Sequence, residues 1–143
     1  MSATNAFETA VLQLYFNAVT HLNLAENKVT SPATNLYVSL HTADPGEAGT
    51  QVTSETAYTN YARVAVIRTS AGWTVSGNAV SNAALVSFPT GGATGATVTH
   101  FGIGETASGA GALHFKGALT SSLVVGSGVT PEFAIGQLSV TAD

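Results

Sequence analysis

The first stretch with a clear rhythm is Ala6–Val19. On a wheel of about 100° per residue, Thr9, Gln13, Asn17 and Thr20 share one narrow polar stripe. Phe7, Ala10, Val11, Leu12, Leu14, Tyr15, Phe16, Ala18 and Val19 fill nearly all the rest. The pattern predicts a helix within an N-terminal segment 1–22. Asn5 is its expected N-cap, and Glu8 three residues later makes a variant of the capping box. A helix lying on one sheet needs an apolar arc of only about 100°, and this arc is about twice that. The helix is therefore expected to be covered from two sides, by its own sheet and by a neighbouring subunit. Phe7, Val11, Leu14 and Phe16 are the residues expected to be shared between core and interface.

After a polar connector, Asn23–Asn35, the period changes to two. In Asn35–Thr42 the residues Leu36, Val38 and Leu40 fall on one face and Tyr37, Ser39 and His41 on the other. Asp44-Pro45-Gly46 is turn chemistry, and Glu47–Asn60 reads as a long loop. Ala62–Thr69 alternates again. Further short runs follow at Trp73–Ser76, Ala79–Ser81, Leu85–Phe88, Thr97–Ile103, Leu113–Phe115, Leu119–Val125, Glu132–Ile135 and Leu138–Thr141. Glycine-rich turns separate them at roughly 8–12-residue intervals, the signature of an antiparallel sandwich or barrel. The expected fold is mainly β: an antiparallel β-sandwich of jelly-roll type over 35–143, preceded by one N-terminal α-helix. Residues 1–143 are expected to form a single domain.

Charge narrows the functional classes. Of 143 residues only 4 are Lys or Arg and 8 are Asp or Glu, giving a net charge of -4; there is no cysteine. Four cations cannot neutralise the phosphates a nucleic-acid partner presents. The missing cysteines exclude disulfide scaffolds and thiolate metal sites. No apolar run reaches the roughly 20 residues of a membrane span, and Met1–Phe7 lacks the features of a secretory signal, so neither membrane nor export is expected. A surface with 8% charged residues suits a molecule packed into an assembly. Two of the four cations, Arg63 and Arg68, sit at odd spacing in one predicted strand. Either can pair with an acid across an interface, and the plainer expectation is two solubilising charges at strand ends.

Catalytic motifs are weak. Gly102-Ile103-Gly104-Glu105-Thr106-Ala107 fits a relaxed dinucleotide fingerprint, but a glycine loop follows where a helix is required, so a strand-end turn is expected. The histidines His21, His41, His100 and His114 have no metal-ligand spacing; His41 with Asp44 is the one conceivable site, and an ordinary turn capped by Asp44 is the simpler account. No Gly-x-Ser-x-Gly elbow is present. The expectation is no enzyme, no cofactor and no metal. Glu47, Glu55, Tyr58 and Tyr61 mark a possible ligand-facing loop, since tyrosines exposed on a jelly roll can bind sugars. The competing expectation is that Tyr61 and Trp73 plug the sandwich ends.

Three groups of residues carry a resemblance. Leu36-Tyr37-Val38-Ser39-Leu40-His41-Thr42-Ala43-Asp44-Pro45-Gly46-Glu47-Ala48-Gly49 is followed by Tyr58-Thr59-Asn60-Tyr61-Ala62-Arg63-Val64-Ala65-Val66. Later come Asn82–Pro89, Thr99-His100-Phe101-Gly102-Ile103 and Thr130-Pro131-Glu132-Phe133-Ala134-Ile135-Gly136-Gln137-Leu138. From Leu36 onward, and loosely in the helix before it, the chain resembles a family of small structural proteins of tailed bacteriophages, often labelled tail-fibre-like. The resemblance implies a non-catalytic virion component, assembled in the host cytoplasm. The length and the doubly apolar helix lead to the expectation of a capsid decoration or cement protein. It would be dimeric or trimeric and bound to other virion proteins, the major capsid protein first. A tail-tip or tail-fibre component in host attachment is the alternative, and a carbohydrate-binding module the third.

Overall fold

The computed structural model describes residues 4–20 and 32–142. In chain order its elements are α1 (Asn5–Asn17), β1 (Asn35–His41), β2 (Val64–Ile67), β3 (Trp73–Ser76), β4 (Ala79–Asn82), β5 (Val86–Ser87), β6 (Ala96–Gly104), β7 (Leu113–Val125), β8 (Glu132–Phe133) and β9 (Ser139–Thr141). The protein is mainly β with one helix. Its sheets run β2-β1-β6-β7, β3-β4-β9 and β5-β8, and none closes into a barrel among the described residues. Pairing is antiparallel between β1 and β6, β6 and β7, β3 and β4, and β4 and β9. The connector expected over Asn23–Asn35 falls mostly outside the described residues.

The chain gathers into two compact units. Of the described residues, the first holds those up to Asn35, Ile67–Val86 and those from Phe133 on; the second holds Leu36–Val66 and Ser87–Glu132. In the first, α1 packs on β3 and β4. Its buried stripe is Glu8, Leu12 and Phe16, spaced four apart on one face. Phe16 is 0% exposed and meets Trp73 edge-on at 4.8 Å between ring centroids. Such a pair adds roughly 0.5–1.5 kcal/mol beyond its area burial.

Both helix ends depart from the expected caps. Thr4, not Asn5, is the N-cap: its side chain accepts from the Phe7 amide at 3.5 Å, and Asn5 is the first helical residue. Glu8 thus lies one position too far along for a capping box. At the other end Ala18 adopts the left-handed conformation at φ 55°, and the Val19 amide donates to the Gln13 carbonyl at 3.1 Å. The last turn has no basic residue of its own. Arg68 supplies that charge from beyond β2, donating to the carbonyls of Tyr15, Leu14 and Ala33, with 2.7 Å to Leu14. A cation there satisfies orphan carbonyls and opposes the negative end of the helix dipole.

Asn82 organises the rest of this unit. Fully buried at the end of β4, it donates from Nδ2 to the carbonyls of Ala84, Phe133 and Ala134, while its Oδ1 accepts from the Leu138 amide at 2.9 Å. One side chain thereby fixes the turn leading into β9.

In the second unit the period-two pattern of β1 sets the core. Val38 lies opposite Ile103 and Leu40 opposite Phe101; beyond them Ile103 lies opposite Phe115 and Phe101 opposite Gly117. Paired residues share a sheet face, so these side chains form one apolar layer. The Phe101 ring covers Gly117, where a Cβ would come within 2.7 Å of the ring's Cζ. The runs expected separately at Leu113–Phe115 and Leu119–Val125 are one strand. Its register on β6 steps from Ala118 opposite His100 to Leu123 opposite Val98.

Neither unit is a continuous piece of chain, and the expectation of one domain translates into one calorimetric unfolding transition. Two resolved transitions would refute it. In the same experiment Ala18→Gly is expected to raise the melting temperature, because it relieves about 1 kcal/mol of left-handed strain.

Candidate functional site

Toward the end of β1 the polar face is as buried as the apolar one. Ser39 and His41 are both 0% exposed, because the stretch expected as a free loop, Glu47–Asn60, folds back on the strand end. The Thr42 amide donates to the Ser54 carbonyl at 2.8 Å, the Thr56 amide donates to the Leu40 carbonyl at 2.9 Å, and His41 bridges to Glu55. Gln51 is buried as well: its side-chain oxygen accepts from the amide and hydroxyl of Thr106, and its Nε2 donates to the Thr106 carbonyl. That side chain ties the segment to the loop after β6.

His41 Nδ1 lies 2.9 Å from the Thr53 carbonyl, which can only accept, so Nδ1 carries the proton. Nε2 is left to accept from Ser39 Oγ at 2.8 Å. The contact has the form of a nucleophile and its base, but a backbone carbonyl occupies the place of an orienting carboxylate, and both residues are sealed from solvent. Gly102 opposite Ser39 makes room for the pair: a Cβ there would sit 2.8 Å from both His41 Nε2 and Ser39 Oγ. Burial lowers the His41 pKa below its ordinary 6.5, only partly opposed by the Thr53 carbonyl and the Glu55 charge.

Beside this pair lies a buried ion pair. Arg63 grips Glu55 with two bonds, Nε to Oε1 and an Nη to Oε2, each 2.7 Å. Its remaining donors reach the Thr106 carbonyl at 2.9 Å, the Thr106 hydroxyl and the Gly109 carbonyl. The Arg63 side chain is only 2% exposed. The Glu55 contact raises the Arg63 pKa further, against the opposing effect of burial. Tyr61 completes the cluster, accepting from the Leu40 amide at 3.1 Å and donating to Glu55 Oε1 at 2.8 Å. Burial, reinforced by the Glu55 charge, pushes the Tyr61 hydroxyl far above the usual phenol range, so it stays a donor. A depression of about 250 Å³ adjoins the cluster, lined by Glu55, Tyr61, Arg63 and the loop Ala107–Gly109.

The expected site residues are thus distributed as follows. Of the ligand-facing set only Glu47 points to solvent, where it and Asp44 hold Lys116 at 3.1 and 3.0 Å. Glu55 is bound by Arg63. Tyr58 is buried, donating to the Pro89 carbonyl and meeting Tyr61 edge-on at 5.3 Å, while Tyr61 stacks on Phe88. Both tyrosine rings are thus packed within the chain. Arg63 and Arg68 both lie outside β2, and their guanidinium groups make contacts within the chain. His41 and Asp44 have separate partners, Asp44 accepting from the Gly46 amide as the expected turn cap. Among the described residues no group of three His, Cys, Asp or Glu is placed to hold a metal, and no helix is long and apolar enough to cross a membrane. His21 lies outside the described residues.

On α1 the four candidate interface residues divide. Phe16 is core, Leu14 is half-buried, and Phe7 and Val11 are 53% and 39% exposed. Phe7, Val11 and Leu14 share a helix face distinct from the Glu8-Leu12-Phe16 stripe. Gln51 and Asn82 are the structural residues that sequence reasoning missed; a lone amide in a Thr- and Ala-rich stretch carries no local signal.

Two outcomes test the polar cluster. His41 is harder to protonate folded than unfolded, so its contribution to stability is complete above about pH 6.5 and falls as pH drops below it. Melting temperature followed down from pH 7 should decline over that window, and His41→Asn should flatten the decline. Replacing Glu55 with Gln leaves a buried guanidinium without its counter-charge and is expected to cost about 3 kcal/mol in urea denaturation.

The comparisons with known proteins bear on identity. No curated protein matches the chain. The model of the family described as Podophage GP4 fiber I protein gp80 matches residues 2–141, spanning α1 as well as every strand. With nearly all of its length matched, the chain belongs to this family of phage fibre proteins, structural components of the virion.

Proposed function

We propose that the protein is a non-catalytic building block of a phage fibre, held to neighbouring virion proteins through the outward face of α1. The observation that carries this reading is the pair Phe7 and Val11, exposed beside half-buried Leu14 on a helix whose opposite stripe is already covered. Burying a whole side chain of this size is worth roughly 1.5–3 kcal/mol, so a partner covering the part still exposed recovers about half of that for each. The same unit exposes Ile67, Leu85 and Ile135. With 8% charged residues, this surface suits permanent company. The non-catalytic part of the reading is supported by the sealed Ser39–His41 pair and by the family. A free carbohydrate-binding module is disfavoured by the inward-turned tyrosines.

Capsid decoration is the second reading. The helix face serves it equally well, clamping shell subunits by many modest contacts at once. The family description favours the fibre. The sandwich of jelly-roll type belongs to the proposal as well; antiparallel pairing in the registers above supports it.

Immunogold labelling of particles separates the two locations: label on fibres upholds the proposal, and label spread over the head surface replaces it with decoration. A pair of substitutions tests the helix face. Val11→Asp is expected to leave the melting temperature within about 2 °C, since surface changes stay near 0.5 kcal/mol, yet to abolish incorporation into particles. Phe16→Asp is expected to unfold the protein. Normal incorporation of the Val11 variant would sink the proposed contact.

A further inference from the structure

We propose that the open edge of β7 is a strand-pairing surface for a second copy of this chain. β7 has 13 residues and is the outermost strand in the order β2-β1-β6-β7. Its first half is guarded: Thr50 bridges to Ala112 just before it, and Lys116 is engaged by Asp44 and Glu47. Beyond Lys116 the guard stops. The step in register leaves Leu119, Thr120, Ser121 and Ser122 opposite Thr99 alone. From Thr120 to Val124 every residue is exposed, so this stretch of strand is uncovered on both faces, with Val124 68% exposed.

Isolated proteins protect such an edge with lysines, prolines or inward-pointing charges, since an open strand recruits another. Beyond Lys116 none of these three is present among the described residues; the one device on this edge is the bulge opposite Thr99, which bends β7 locally and leaves the segment uncovered. Gly117 through Val129 contains neither a charged residue nor a proline, while Thr120, Val124 and Val125 favour extended backbone. That absence also selects the partner. In a chain of net charge -4, an uncharged edge lets two copies meet without repulsion, and it gives a charged partner strand nothing to recognise. Antiparallel pairing about a twofold axis places the same segment on both sides and closes the assembly, so the edge is consumed rather than passed on to a growing ribbon. The inference concerns the isolated protein and does not depend on where in the virion it resides.

The experiment uses the purified full chain. Sedimentation at about 50 µM, where a micromolar association is largely formed, is expected to show a dimer. Ser122→Pro, and separately the double substitution Leu123→Lys with Val124→Lys, should shift the species to monomer. Both lysines enter at exposed positions, so this variant keeps its circular dichroism and melting temperature even if the proline variant misfolds. Val11→Asp should remain dimeric, which separates this edge from the helix face. Because the chain has no cysteine, Thr120→Cys, Ser121→Cys and Ser122→Cys report proximity directly. Oxidation should give a covalent dimer at one of them at least about tenfold faster than at Thr74→Cys, an exposed control on β3. A monomeric parent, a dimer that survives the lysines, or equal cross-linking at Thr74 overturns the proposal. So does a monomer that instead accepts a strand from another virion protein.

Discussion

The bidentate pair between Arg63 and Glu55 is the contact on which the second unit turns. It joins the segment after β1 to the loop after β6, and its five donors leave no part of the guanidinium unsatisfied. A buried ion pair is not strong evidence of stability, because desolvation offsets much of its attraction. Its value here is selective. With so few charges in the chain, a buried Arg63 has few acids to choose from, and this scarcity specifies one way for the segment to fold back. Tyr61, Gln51 and Thr106 then settle the remaining polar groups around it.

The first unit solves a related problem by different means. Its helix ends in an unassisted last turn, and Arg68 completes it from a distant part of the chain. Asn82 does for the terminal turn what Arg68 does for the helix: one side chain takes on several backbone groups that no neighbour in sequence can satisfy. Polar side chains thus act as internal braces in both units, while several apolar ones remain outside. That inversion is what one expects of a component whose final surface is completed by its neighbours.

Much of this architecture was legible in the sequence where the signal is local. Period-two alternation located β1 to within a residue, and β3 at its observed bounds, because alternate side chains must face opposite ways. The helix was legible for the same kind of reason. Its cap was misplaced by one position because Thr4 and Asn5 are both competent caps and only the backbone turn decides between them. Tyr58 and Tyr61, in and beside the segment 47–60, could not be assigned from pattern. A tyrosine looks the same in sequence whether its ring meets solvent or Phe88. The Arg63–Glu55 pair joins two residues that were each singled out separately, with no local pattern to link them. Long-range partners decide such matters, and hydrophobic periodicity is silent about them.

The packing of Phe101 over Gly117 carries a consequence of another kind. The bare backbone at one position and the ring at the other form a single inherited character. A relative that acquires a β-carbon at the site of Gly117 must shrink or swing aside its aromatic partner, so change at Gly117 is tied to change at Phe101. Comparison of many family members should find these two columns changing together, on a sheet whose outer neighbours are free to wander.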